Sequence, residues 1–137
     1  RRAREVADRR LAASAAEGLL DLKQDVGGVA LIASRVAVTR VEALREMGDW
    51  LRDRLGSGVV VLGTVVEERP HLIAMVTPDL VADGIDAAQI VRGAAKAIQG
   101  GGGGRPDVAQ AGGRDADRLD EALGLVPGLL RRKGGAS

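Results

Sequence analysis

One histidine, His71, and the absence of cysteine bound the chemistry available to this 137-residue chain. A nucleophile needs a base within hydrogen-bond reach. The single imidazole stands at the start of an expected strand, just after a turn, with no nucleophile beside it in sequence. A Ser-His-Asp arrangement is therefore not expected. One His without Cys also falls short of a structural zinc site. Carboxylates do not recur at ligand spacing, and there is no G-x-x-x-x-G-K-S/T segment that would cradle a phosphate. No catalytic residue is assigned.

What remains is GGGGGRPDVAQAGG, residues 100–113, in which seven of fourteen residues are glycine. Glycine admits positive φ and lets another backbone come close. Successive N–H groups in such a segment can form a nest for an anion. Lys96 and Arg105 flank the run and would add to that attraction. Oligoglycine is also the usual composition of a flexible tether. The continuation RPDVAQAGG favours a shaped loop, because it is specific, free of Ser and partly apolar. Gln110, set between two alanines, offers an amide that both donates and accepts and can hold that loop. A G-x-G-x-x-G match inside polyglycine is trivial, and here it comes after a helix where the dinucleotide fingerprint comes after a strand.

The elements around this stretch can be read from periodicity. Residues 1–24 read as a basic helical arm, with Ala7, Leu11, Ala15, Leu19 and Leu22 three or four apart. The chain opens inside this helix without a Met, which suggests a piece of a longer protein. Val29–Val38 is an apolar β-branched run and a buried strand. Thr39 and Glu42 have capping-box spacing before a helix over 40–55, whose inner face carries Val41, Leu44, Leu51 and Leu55. Residues 59–66 and 72–76 form an antiparallel hairpin. Residues 77–86 are irregular, with room for one helical turn. Asp86 caps a helix whose inner face is Ala87, Ile90, Val91, Ala94 and Ile98. The glycines form the turn after it, and residues 106–112 are a short extended segment, a candidate last strand. Asp115 caps a closing helix with Leu119, Ala122, Leu123 and Val126 inward, which Pro127 should kink or end. The fold class is α/β: a mixed sheet of three to four strands packed with helices, preceded by a projecting helix. The helix over 40–55 is a crossover, which allows the first two strands to be parallel. The domain reading is an arm over 1–24, a globular unit over 25–133 and a polar tail over 134–137.

Composition narrows the partners. Twenty basic residues face 19 acidic ones, so a nucleic-acid footprint would have to be local. Trp50 is the only aromatic residue, which excludes a platform that stacks several bases. No apolar run reaches the roughly 20 residues needed to cross a bilayer, so no membrane partner is expected. The absence of cysteine suits the cytoplasm.

GGGGGRPDVAQAGG closely resembles the signature of the C-terminal domain of alanyl-tRNA synthetases, the DHHA1 type that also closes the DHH phosphodiesterases. VEALREMGDWLRDRLGSGVVVLGTVVEERPHLIAMVTPDL is similar to the family's strand–helix–hairpin unit. DGIDAAQIVRGAAKAIQ and RDADRLDEAL resemble the helices on either side of the glycines. The resemblance covers about residues 25 to 130. The phosphodiesterase branch typically carries a His near its glycines, and none stands here.

The resemblance implies a domain that holds tRNA(Ala) near its elbow and links aminoacylation with editing for the rest of a parent synthetase. ATP and zinc would belong to other parts of that parent, so no cofactor is expected in this chain. It also implies a homodimer as a further assembly. A module that only oligomerises, or the substrate domain of a phosphodiesterase, stays open as an alternative. DNA is not an expected partner. RNA would be recognised by shape, phosphate and 2′-OH contacts. The candidate contacts are Lys96, Gly101, Gly102, Gly103, Gly104, Arg105, Gln110 and Arg114, with Arg92 a weaker choice. Arg105 could instead pair with Asp107 or Asp115 and serve the fold.

Overall fold

The computed structural model describes residues 17–135. Its centre is a six-stranded sheet in the order β1-β2-β3-β4-β6-β5. The strands are β1 (Gln24–Val26), β2 (Val29–Arg35), β3 (Val59–Val66), β4 (Arg69–Val76), β5 (Gly101–Gly104) and β6 (Val108–Gly112). β2 and β3 are parallel, joined by helix α1 (Val41–Leu55) as the crossover; every other pairing is antiparallel. Further helices are α2 (Pro78–Ala82), α3 (Ala87–Ala95) and α4 (Leu119–Gly135).

The sheet is covered on both faces, and its central strands are accordingly apolar without alternation. On one face Leu44, Met47 and Leu51 of α1 pack with Ile32, Val60, Leu62, Ile73 and Met75. On the other, α3 and α4 bring Ile90, Val91, Ala94, Leu119, Leu123 and Val126 onto Leu31, Val59, Val61, Leu72 and Ala74. Consecutive residues of β3 thus enter opposite cores. Full burial of such aliphatic side chains stabilises by about 1.5–3 kcal/mol each, which makes these two layers the bulk of the folding energy.

Several local expectations are corrected. The sheet has six strands rather than three to four, because Gln24–Val26 and the glycines themselves both pair. The helix expected over 1–24 falls mostly outside the described residues; 17–20 are helical, and β1 has begun by Gln24. β2 ends at Arg35, not at Val38. The capping box does not form. The chain stays extended through Arg40 (φ −139, ψ 145), so Thr39 falls one residue short of the N-cap position. Asp115 makes no side-chain cap either, since a 3₁₀ turn over Ala116–Arg118 intervenes before α4. Asp86 does cap α3, its Oδ1 accepting from the Ala88 N–H at 2.8 Å.

Pro127 lies inside α4, and the helix runs on through it to Gly135. The proline forfeits one backbone hydrogen bond, worth about 0.5–1.5 kcal/mol net. Val126 and Leu130 on either side are buried, at 0% and 4% exposure. Their burial outweighs the missing bond.

Candidate nucleic-acid interface

The glycine run is an edge strand, neither a tether nor a turn. β5 pairs along β6 with Gly101 opposite Gly112, Gly102 opposite Ala111, Gly103 opposite Gln110 and Gly104 opposite Ala109. Both ends of this hairpin are tied down. The Gly100 N–H donates to Ala95 O at 2.9 Å, and Arg114 and Asp115 N–H donate to Ile98 O at 2.8 and 3.0 Å. At the other end Arg105 N–H donates to Val108 O at 2.9 Å, Ala87 N–H to Pro106 O at 2.8 Å and Val76 N–H to Asp107 O at 2.9 Å. RPDVAQAGG therefore supplies a turn, a strand and two anchor points. The hairpin is held by main-chain bonds, so the shape-holding role expected of the Gln110 amide falls to the backbone.

The five glycines are not equivalent. A Cβ on Gly100 would collide with the Gly112 carbonyl, and one on Gly102 with the Gln110 carbonyl. One on Gly104 would lie 2.7 Å from Val108 O and 2.8 Å from Ala109 Cα. These three are glycine because β6 presses against them. A Cβ on Gly101 would have no neighbour within 4 Å. On Gly103 it would meet the Arg92 guanidinium, 3.0 Å from Nη2.

Arg92 projects from α3, and its Nε donates to Gly102 O at 3.3 Å. The geometry of the ladder explains why that carbonyl is open. Antiparallel partners exchange bonds at every second residue. Counting from the Arg105–Val108 bond, Gly103 and Gly101 face β6, while Gly102 turns its N–H and carbonyl to the free edge.

The sequence-nominated cations do not gather at one point. Lys96 and Arg114, both exposed, stand at the Gly100 end of the hairpin. Arg105 stands at the opposite end and forms an exposed ion pair with Asp107 at 3.5 Å. Four strand residues at about 3.3 Å each put roughly 13 Å between the ends. Arg92 fills the middle. The helical spacing of Arg92 and Lys96, four apart, places both on one exposed face of the chain beside β5.

The other side of the hairpin has the opposite sign. Gln110, exposed, faces a shallow cavity of about 310 Å³ walled by Val41, Glu42, Arg45, Glu46 and Asp49 of α1. Asp49 there is paired with Arg52 at 3.1 Å, which leaves Glu42 and Glu46 against Arg45, a small negative excess that disfavours phosphate. The shifted titrations lie elsewhere. Ser57 and Thr77 hydroxyls donate to Asp79 and hold its carboxyl below the ordinary range. Arg118 forms a two-bond pair with Glu121, lowering that carboxyl and raising its own guanidinium. Trp50 is taken up by Arg54, whose Cζ lies 4.6 Å from the ring centroid. Among the described residues no His, Asp or Glu group could hold a metal, and no helix is long and apolar enough to cross a membrane. His71 sits in β4 opposite Thr64 and Gly112, half-buried.

The model of the DHHA1 domain matches residues 28–131. The chain belongs to the DHHA1 domain family. The alanine–tRNA ligase of Dehalococcoides mccartyi is 49% identical over 123 residues, which cover 90% of this chain and 14% of that protein. That of a Roseiflexus species is 48% identical over 126 residues, with 92% and 14% covered. The chain thus spans about 14% of the length of these relatives. Among solved structures, the C-Ala domain of Aquifex aeolicus alanyl-tRNA synthetase superposes with a TM-score of 0.70 at 30% identity, covering 79% of this chain and 96% of that one. RecJ from Thermus thermophilus matches at a TM-score of 0.60 and 13% identity, with 93% and 18% covered, a likeness of fold alone. The DHHA1 assignment accounts for the glycine hairpin and both flanking helices, all of which begin inside the matched residues.

Proposed function

We propose that this DHHA1 domain holds tRNA(Ala), at the elbow of the L, for a parent alanine–tRNA ligase in the cytoplasm, and so links aminoacylation with editing. The observation that carries the reading is the β5 edge, unpaired among the described residues, with Arg92, Lys96, Arg105 and Arg114 strung along it, in a chain whose relatives are alanine–tRNA ligases. A line of cations about 13 Å long suits a run of phosphates on a folded RNA. The glycine backbone admits the sugar–phosphate chain to close range, and open main-chain groups can meet 2′-hydroxyls. The acidic flank of α1 directs RNA to the edge and away from the Gln110 side. The domain contributes no chemical step; activation with ATP and any zinc-dependent editing belong to other parts of the parent. The remainder of that synthetase is its second partner.

The test is fluorescence anisotropy of the 137-residue chain with labelled tRNA(Ala), a single-stranded RNA of equal length and a DNA duplex. The reading expects tRNA to bind tightest, with affinity that falls as salt rises. Binding no tighter than to the single strand, or no binding at low salt, overturns it. Sizing of the same samples addresses the oligomerisation alternative: a stable dimer that ignores tRNA supports that alternative instead.

A further inference from the structure

The positions of Gly103 and Arg92 explain each other, and the pair has a use beyond the fold. Gly103 leaves the space into which the Arg92 guanidinium settles, and the guanidinium holds its place through one bond, from Nε to Gly102 O. That bond is long, at 3.3 Å. Arg92 is exposed, and it enters none of the ion pairs found among the described residues, whereas Arg105 is engaged with Asp107. A guanidinium carries five N–H donors in a planar fork. With Nε used on Gly102, the four donors on its two Nη groups remain for a ligand. A planar fork of this kind matches two oxygens of one phosphate. The Gly102 N–H, turned to the same free edge by the ladder, adds a neutral donor beside it.

We infer that Arg92, set against the edge of β5 by the absence of a Cβ at Gly103, is the residue that grips an RNA phosphodiester, and that Arg105 is secondary. The inference rests on the tRNA-binding reading above and selects the residue that performs it. The contact differs from a surface charge in one respect: the guanidinium's seat lies beside Gly103, where a Cβ would stand 3.0 Å from Nη2. An alanine methyl at 103 would stand 3.0 Å from Arg92 Nη2, push the end of that side chain by a few tenths of an ångström and leave every charge in place. A lysine at 92 keeps the charge and loses the fork.

The experiment measures tRNA(Ala) affinity of the 137-residue chain as a function of salt for wild type, Arg92→Ala, Arg92→Lys, Gly103→Ala and Arg105→Ala, with thermal melting of each. Arg92→Ala is expected to weaken binding roughly tenfold or more, the scale of a lost charge-assisted hydrogen bond, and to lower the salt slope by about one unit. Arg92→Lys should restore the slope without restoring affinity. Gly103→Ala should lose only part of what Arg92→Ala loses, with its melting midpoint near wild type, and Arg105→Ala should lose less than Arg92→Ala. Wild-type binding with Arg92→Ala equal to it overturns the inference and leaves the tRNA reading standing. If Gly103→Ala melts early, Arg92→Lys decides alone: affinity equal to wild type overturns the inference, because charge without the fork would then suffice. Absence of wild-type binding overturns the tRNA reading itself, and this inference with it.

Discussion

Gly102 has no room for a methyl group, and Gly101, its neighbour, has nothing around it. The two letters are identical in sequence and opposite in consequence. Gly102→Ala drives a Cβ into the Gln110 carbonyl of β6, backbone that cannot step aside. We expect it to destabilise the chain by about 1–3 kcal/mol, the range for overpacking a tight site. Gly101→Ala should lie within about 0.5 kcal/mol of wild type, as surface substitutions usually do. Urea unfolding of the two variants checks the contrast; equal losses would mean that β5 does not lie against β6 in this register. The glycine signature was legible as a shaped segment because RPDVAQAGG continues it. The division among Gly100 to Gly104 was not legible, because the atoms that impose it come from β6 and from Arg92, which only folding brings near.

At the scale of elements, hydrophobic period and length placed the buried strands, the crossover and both inner helix faces correctly. Ile90, Val91, Ala94 and Ile98 are all buried, as are Leu119, Ala122, Leu123 and Val126. End signals fared worse. Thr39 and Asp115 are good capping residues that the chain bypasses, since the backbone enters its helices one residue later or through a 3₁₀ turn. Polyglycine carries no period at all, so its pairing as β5 had no sequence signal. The β3–β4 hairpin shows a local conflict of the same kind. Its two-residue turn puts Glu67 at φ 52 and Glu68 at φ 68, the left-handed pattern that prefers Asn-Gly. We expect Glu68→Gly to stabilise the chain by about 0.5–1 kcal/mol, since a left-handed L-residue costs roughly that or somewhat more. A midpoint shift to higher urea checks it; a loss of stability would indicate that the glutamate makes a compensating contact.

Taken whole, the chain is nearly neutral, at +1, yet its charge is sorted around the glycine hairpin. Glu42 and Glu46 of α1 stand on one side, where Arg52 holds Asp49, and Arg92, Lys96, Arg105 and Arg114 follow β5, with Arg105 paired to Asp107. Sorted charge on a neutral domain favours a partner that approaches from one direction. In the proposed reading that partner is tRNA, and with Trp50 the only aromatic residue the chain offers no platform for several single-stranded bases. The most direct test of an RNA-facing β5 edge is amide chemical-shift mapping of the isotopically labelled chain during titration with tRNA(Ala). The largest shifts are expected at Gly101 to Gly104, at the Arg92 side-chain Nε–H and at Lys96 and Arg114, with the α1 flank from Glu42 to Asp49 unmoved. Shifts concentrated on α1 and Gln110, with the β5 edge silent, would contradict it.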